Sequence, residues 1–320
     1  DIIEQALHSK HHKIKVGLVG NPNSGKTSLF NTLCGRSEHV GNYSGVTVDA
    51  KRGKLNYKGY SIEVTDLPGT YALSAYSPEE KYVRRHIVEN TPDVIINTIV
   101  ASNLERNLYL TTELIDINPK MVIALNMYDE LETSGARFDH ETLGGMIGVP
   151  MVPVVAPTGR GIEELLDTII ALHENRDRRE RHIHIGLGQV VEENLEELNA
   201  DLREHRDELP AYFPPRYFAL KLIENDGDVA DMLRSSPHFE RWANKAECAR
   251  REIEAGLGVD IETAIAERKY GFVSGALKET YVAPKDRRHT LSDSLDEIVT
   301  HRIWGYPIFF AIMWFMFYCT

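Results

Sequence analysis

Eight residues constrain this chain more than any others: Gly20, Asn21, Pro22, Asn23, Ser24, Gly25, Lys26 and Thr27. They follow the β-rich run Lys13 to Val19 and open a helical stretch, continuing through Ser28, whose Leu29, Phe30 and Leu33 share one face. A glycine-rich turn between strand and helix lets backbone N–H groups close around a phosphate, and the helix dipole favours the negative charge. Lys26 is then placed to neutralise the β- and γ-phosphates of a nucleoside triphosphate, and the Thr27 hydroxyl to ligate magnesium. A chance glycine turn before a helix would need neither the lysine nor the threonine.

The rest of the first half keeps the same alternation. Lys51 to Tyr57 and Tyr60 to Thr65 flank a Lys58-Gly59 turn and predict a hairpin. Asp93 to Val100, Met121 to Asn126 and Met151 to Val155 are further apolar runs separated by helical spacers. Strands alternating with helices predict an α/β fold: a mostly parallel six-stranded sheet with helices on both faces. Ligands in such sheets sit at the carboxyl ends of strands, and the glycine loop, Asp66 and Asn126 each lie at such an end.

Asp66-Leu67-Pro68-Gly69 supplies a carboxylate for a magnesium-bound water and, at Gly69, an N–H that can sense a γ-phosphate. In Asn126-Met127-Tyr128-Asp129, the Asp129 carboxylate can accept from guanine N1–H and the exocyclic amine, a pairing that adenine lacks. Asn126 is expected to bind the base edge and tie the loops together, with Met127 lending an aliphatic stem. Val155-Ala156-Pro157 follows the last strand, and the Ala156 N–H is the candidate donor to guanine O6. Thr47, in Gly45-Val46-Thr47-Val48, is the candidate cap on magnesium that lets go after hydrolysis. Thr70 stands where Ras-like switches carry a water-orienting glutamine, and no arginine finger can be assigned within the chain. Asn23 is therefore a candidate ligand for a monovalent cation beside the phosphates. Lys26, Thr47 and Asn23 form the predicted catalytic set. Thr27, Thr47 and Asp66 are the predicted magnesium ligands, and Asn23 the predicted potassium ligand.

Each motif has a plainer reading. Asp-x-x-Gly is a common turn, Asn and Asp often cap helices, and threonine before a strand is usually a β-former. Their joint placement at strand ends favours the nucleotide. A net charge of −12 argues against a nucleic-acid partner. Three scattered cysteines, Cys34, Cys248 and Cys319, give no disulfide or zinc framework. Scattered histidines, including the pairs His11-His12 and His182/His184, read as solvated side chains with no assigned role.

Domain organisation follows composition. Residues 1–12 are polar and, because the chain opens at Asp1, suggest a linker from an upstream segment. Residues 13–178 form the predicted nucleotide domain. Residues 179–285 form a predicted separate all-α domain: from Gln189 to Val282 the spacing is helical, broken at Pro210, Pro214-Pro215, Pro237 and Gly256 to Gly258. Residues 286–302 read as a polar connector. From Ile303 to Thr320 no residue is charged, which predicts the start of a truncated membrane span entered from the cytoplasmic side, since Arg287, Arg288 and Arg302 precede it.

With these residues in view, the chain resembles the cytoplasmic N-terminal region of FeoB, the bacterial ferrous-iron transporters. The resemblance rests on Gly41-Asn42-Tyr43-Ser44-Gly45-Val46-Thr47-Val48, on Asp66 to Tyr71 with Ser77-Pro78-Glu79-Glu80, on Asn103 to Leu110, on the Met of Asn126-Met127-Tyr128-Asp129, and on Thr300-His301-Arg302 before the apolar run. It implies a P-loop GTPase domain of Ras-like type, a helical domain that tightens GDP binding, and a multi-span permease beyond this chain. It also implies slow, potassium-activated GTP hydrolysis with Asn23 as the ligand, a place at the bacterial cytoplasmic membrane, small FeoA-type and FeoC-type accessory proteins, and homo-oligomers. Tyr43-Ser44 departs from the family's Trp-Pro, Val100 from an Asp, and Val155-Ala156-Pro157 from Ser-Ala-Lys. The alternatives are a soluble TrmE-Era-like GTPase acting on RNA or assembling ribosomes, which the acidic charge disfavours, and a P-loop ATPase or kinase, which Asn126 and Asp129 oppose.

Overall fold

Alternation along the strands decides the layering. The computed structural model describes residues 12–35, 38–42, 49–74, 77–283 and 305–319. Strand β1 (His12–Gly20) sends Ile14, Val16 and Leu18 into one apolar cluster and Val19 into the other. Strands β5 (Val94–Val100) and β6 (Met121–Asn126) divide their side chains in the same way. Largely apolar runs that bury side chains on both faces are what a sheet covered on both sides requires.

The sheet has seven strands. In order of adjacency they are β2 (Glu38–Asn42), β3 (Asp49–Tyr57), β4 (Tyr60–Asp66), β1, β5, β6 and β8 (Met151–Pro153). β4, β1, β5, β6 and β8 run parallel, while β2 and β3 are antiparallel additions at one edge. Six strands were expected. The seventh, β2, reads Glu38-His39-Val40-Gly41-Asn42, with one aliphatic residue and no alternation, so its strand state comes from pairing with β3. The β3–β4 hairpin closes at Lys58 and Gly59, with φ of 46° and 83°, the left-handed pair that a two-residue turn demands.

Helix α1 (Lys26–Cys34) buries Leu29, Phe30 and Leu33 against the face carrying Ile14 and Ile62. Helix α2 (Pro78–Asn90) starts with a full capping box, Ser77 with Glu80, and proline at its first turn. Helix α3 (Leu104–Ile117) covers β5 on the second face. Helices α4 (Tyr128–Ser134), α5 (His140–Ile147) and α6 (Ile162–His173) complete the α/β layer, and a two-residue strand β7 (Arg137–Phe138) lies between α4 and α5.

The helical part follows: α7 (Gln189–Glu204), α8 (Pro215–Ile223), α9 (Gly227–Leu233), α10 (Phe239–Leu257) and α11 (Ile261–Thr280). It does not stand apart. One apolar cluster runs unbroken from Ile95, Leu108 and Leu125 of the sheet layer into Leu195, Phe218, Trp242 and Ile265. Strand β9 (Tyr281–Val282) at the end of α11 pairs with β7. Buried charge reinforces the joint: the Lys269 ammonium, fully buried, bonds the Glu113 carboxylate and lies 2.7 Å from that of Asp116. Burial alone would raise the Glu113 pKa, but Lys221 and Lys269 outweigh it and bring it down to about 2. By chain contacts, Asp1–Val282 forms one compact unit and Ala283–Thr320 a second.

In the second unit, helix α12 (Gly305–Cys319) has 15 residues, nearly all apolar, with Phe309, Phe310, Trp314 and Phe317 exposed. At about 1.5 Å rise per residue it falls short of a hydrocarbon layer of about 30 Å. Among the described residues no helix is long and apolar enough to cross a membrane.

Candidate nucleotide site

The site assembles at the carboxyl ends of β1, β4, β6 and β8. After β1 the chain turns through Asn21 to Gly25, with the Ser24 N–H donating to the Asn21 carbonyl at 3.1 Å. Asn23 stands exposed with left-handed backbone, φ 64°. Gly25 is also left-handed, φ 75°, and a Cβ there would lie 2.2 Å from Nδ2 of Asn126, so only glycine fits. Thr27 and Ser28, in the first turn of α1, are exposed.

Two buried polar atoms inside this cradle, the Asn21 Oδ1 and the Ser24 Oγ, have no hydrogen-bond partner. Buried polar groups are nearly always paired, so an orphaned acceptor and an orphaned hydroxyl in a glycine-lined loop mark a place built for a polar ligand.

Lys26 and Asp66 were expected to meet different groups, phosphate and magnesium respectively. In this structure the two meet each other: the Lys26 Nζ donates to the Asp66 Oδ1, and both side chains are about nine-tenths buried. Two opposite charges withdrawn from water neutralise each other when placed together. The turn after Asp66 is fixed by N–H donation from Leu67 to the Leu18 carbonyl (3.0 Å) and from Thr70 to the Gly20 carbonyl (3.1 Å). Gly69 packs on the phosphate loop, where an added Cβ would stand 3.1 Å from the Pro22 Cα, with Pro68 just before it. The Thr70 hydroxyl donates to the Ala72 carbonyl at 2.7 Å, which directs it along its own turn.

Asn126 links the loops. Its Nδ2 donates to the Ser24 carbonyl at 3.0 Å, and its Oδ1 accepts from the Ala156 N–H at 3.3 Å. Met127, left-handed with φ 56°, sets its terminal methyl against Gly25: a Cβ there would lie 3.2 Å from Cε. Asp129 is exposed beside it. The Ala156 N–H, the expected donor to guanine O6, already has a protein partner. That N–H is held by Asn126, those of Val155, Thr158 and Gly159 bond within the loop, and Pro157 has none. A 3-10 turn over Ala156–Thr158 winds the loop tightly enough to consume its donors. Gly45, Val46 and Thr47, with Tyr43-Ser44, lie outside the described residues.

Two features were given no role on sequence grounds. Arg106, within the Asn103 to Leu110 run, accepts on its carbonyl from the Asn21 Nδ2 (3.3 Å), while its guanidinium lies over the Tyr71 ring, 4.2 Å from the centroid. It therefore touches both the phosphate loop and the segment after Asp66. Its run was singled out in the sequence, but nothing local shows which residues its members meet. Arg84 of α2 donates to the Leu73 carbonyl (3.2 Å) and clasps Asp226 with two bonds of 2.6 and 2.5 Å. Burial works against the guanidinium charge, but the Asp226 bonds outweigh it and hold Arg84 above its usual pKa. Asp226 also caps α9 through the Val229 N–H, so one buried pair ties the Asp66 segment to the helical part.

A parallel sheet carrying a phosphate loop, a second-strand Asp-x-x-Gly and an Asn-x-x-Asp tie defines a P-loop GTPase fold of the Ras-like type. Comparison places it more narrowly. The family model described as "Ferrous iron transport protein B" matches residues 14–169, and the "FeoB cytosolic helical domain" matches residues 188–282. The chain belongs to the FeoB family.

Among relatives, it is 46% identical to the Fe(2+) transport protein A/Fe(2+) transporter FeoB fusion protein of Porphyromonas gingivalis, over 99% of this chain and 38% of that protein. It is 32% identical to the Fe(2+) transporter FeoB of Escherichia coli, over 95% of this chain and 38% of that one. It thus spans well under half the length of these relatives. Among solved structures, an S. thermophilus NFeoB mutant bound to GDP is 32% identical with a TM-score of 0.75, covering 84% of this chain and all of that one. The cytosolic domain of the T. maritima FeoB iron transporter in GMPPNP form is 34% identical with a TM-score of 0.70, covering 84% and 99%.

Proposed function

We propose that this chain is the GTP-binding and GTP-hydrolysing module of a ferrous-iron membrane transporter. The observation that carries the reading is the Asn126 tie, three residues ahead of Asp129, which binds the phosphate loop to the Ala156 loop. Family membership supports guanine as the base and iron as the cargo, and it leaves the RNA-modifying alternative without support.

On this reading Lys26 exchanges Asp66 for the β- and γ-phosphates, and the released Asp66 carboxylate joins the Thr27 hydroxyl, with Thr47, in holding magnesium. The metal would supply charge neutralisation at the phosphates. The donor set fits it: one carboxylate and hydroxyls are hard oxygen ligands. For guanine O6, the Ala156 N–H would have to be shared with Asn126, which favours a modest affinity. With Thr70 turned to Ala72, water positioning falls to backbone groups of the Asp66 segment, and Asn23, exposed at the loop, is the proposed potassium ligand. Hydrolysis on this reading is slow and potassium-activated. Arg84 and Asp226 would pass movement of the Asp66 segment to the helices. Helix α12 would begin the first span of a permease in the bacterial cytoplasmic membrane, with FeoA-type and FeoC-type proteins as accessory partners and a homo-oligomer as the assembly.

Titrating the protein with GTP and ATP, each with magnesium, tests the core of this reading. Tighter ATP binding would sink it. Hydrolysis in potassium and in sodium, with wild type and Asn23→Ala, tests the cation: equal rates in all four would end that part. Iron uptake by the full-length protein in vesicles, with wild type and Lys26→Ala, tests the cargo, and uptake independent of GTP in both would remove the coupling.

A further inference from the structure

Two of the histidines left unassigned in the sequence, His182 and His184, come together. The Nε2 atoms of His182 and His184 lie 3.1 Å apart, with the rings nearly perpendicular at 84°. Two imidazole nitrogens bound to one metal at about 2.0–2.1 Å stand roughly 2.9 Å apart in octahedral geometry and roughly 3.3 Å in tetrahedral. The observed separation falls between these values.

The segment is built to hold the pair. From His182 to Leu187 the chain alternates: Ile183 is half-buried, Ile185 and Leu187 are buried, and His182 and His184 are exposed. In extended chain, residues two apart share a face, so inward packing of the aliphatics turns both imidazoles outward together. Anchors stand on either side. The Arg181 N–H donates to the Gly148 carbonyl at 2.9 Å, its guanidinium to the Gly145 carbonyl, and the Leu187 N–H to Glu192 at 2.9 Å.

We propose that His182 and His184 chelate one divalent first-row transition-metal ion, with water in the remaining positions. Imidazole suits the borderline ions Fe2+, Co2+, Ni2+ and Zn2+. Among the described residues no set of three His, Cys, Asp or Glu side chains converges on one point. Glu192, close along the chain, is committed to Arg216 through bonds of 2.8 and 2.9 Å. Two protein ligands and an exposed position make this an exchangeable site, distinct from the magnesium set at the phosphate loop.

Titration of the whole protein, saturated with magnesium and GDP, with Co2+ or Ni2+ in a calorimeter tests the proposal. One ion per chain is expected. His182→Gln and His184→Gln should each weaken it by tenfold or more, since changes to the mere partners of a metal's ligands already cost about 10–100-fold. His12→Gln should leave it unchanged, and GDP affinity should be the same in all variants, which shows that they fold. No binding by wild type, or wild-type binding by both single variants, overturns the site and leaves a simple hydrogen bond between the rings.

Discussion

The Asn126 side chain bonds the Ser24 carbonyl, 102 residues earlier, and the Ala156 N–H, 30 residues later, within one buried amide. A side chain that satisfies two loops at once fixes their separation. Asn126→Ala leaves the Ser24 carbonyl and the Ala156 N–H unpaired, at a cost of about 1–3 kcal/mol. Thermal unfolding should show the loss, and GTP affinity should fall by about tenfold or more, since 1.4 kcal/mol is one decade. Unchanged affinity in a fluorescent-nucleotide titration would refute the tie as the organiser of the site.

Gly25→Ala separates strain from obstruction. Forcing an L-residue into left-handed backbone costs about 1–2 kcal/mol, and here the new methyl also meets the Asn126 amide, with an ideal Cβ 2.2 Å away. Gly59 has a similar φ of 83° and nothing within 4 Å. Gly59→Ala should therefore lower the unfolding temperature without touching nucleotide binding, while Gly25→Ala should abolish binding. If both bind nucleotide equally, the packing of Asn126 on Gly25 is immaterial.

Arg84 and Asp226 offer a stability test within the first unit. Their side chains are 1% and 7% exposed, and removing one partner of a buried pair strands the other, at about 3–5 kcal/mol. Arg84→Ala should be destabilised on that scale in urea unfolding. Arg84→Lys should recover only part, because an ammonium cannot make both bonds of the fork. Arg84→Met with Asp226→Asn should be milder than Arg84→Ala, since asparagine keeps the helix cap. An Arg84→Ala protein as stable as wild type would refute the pair as a clasp.

These residues mark how far the sequence was legible. The phosphate loop, Asp66 and Asn126 could be placed because each sits at a strand end that periodicity alone locates. The layering of β1, β5 and β6 was readable for the same reason. Strand β2 was not, because Glu38 to Asn42 owes its state to a neighbour. Nor were the partnerships of Lys26 with Asp66, Arg84 with Asp226 and Lys269 with Glu113. Ion pairs that close over 40, 142 and 156 residues leave no local pattern, and a charged residue in a helix reads as solvated until the packing is known. The pairing of His182 with His184 was not legible either, because it depends on which face of residues 182–187 packs inward.

His86 provides the pH test. Its ring is 6% exposed on α2, with Nδ1 3.2 Å from the Asn90 Nδ2 and the Tyr82 ring alongside. Burial, reinforced by the positive charge of Arg52, lowers its pKa from 6.5 to about 4. The folded state thus holds His86 neutral while the unfolded chain binds a proton near pH 6.5. Between those values the unfolded state carries more protons, so stability rises with pH. The contribution is complete above about pH 6.5 and drains away as pH falls towards 4. At about 1.36 kcal/mol per unit, the span is on the order of 3 kcal/mol. His86→Gln has no proton to gain, and the difference in unfolding free energy between it and wild type should shift by that amount, against wild type, from pH 7.5 to pH 4. A difference that stays constant over this range, measured by urea unfolding at each pH, would show that His86 is protonated as readily in the folded protein as in the unfolded chain.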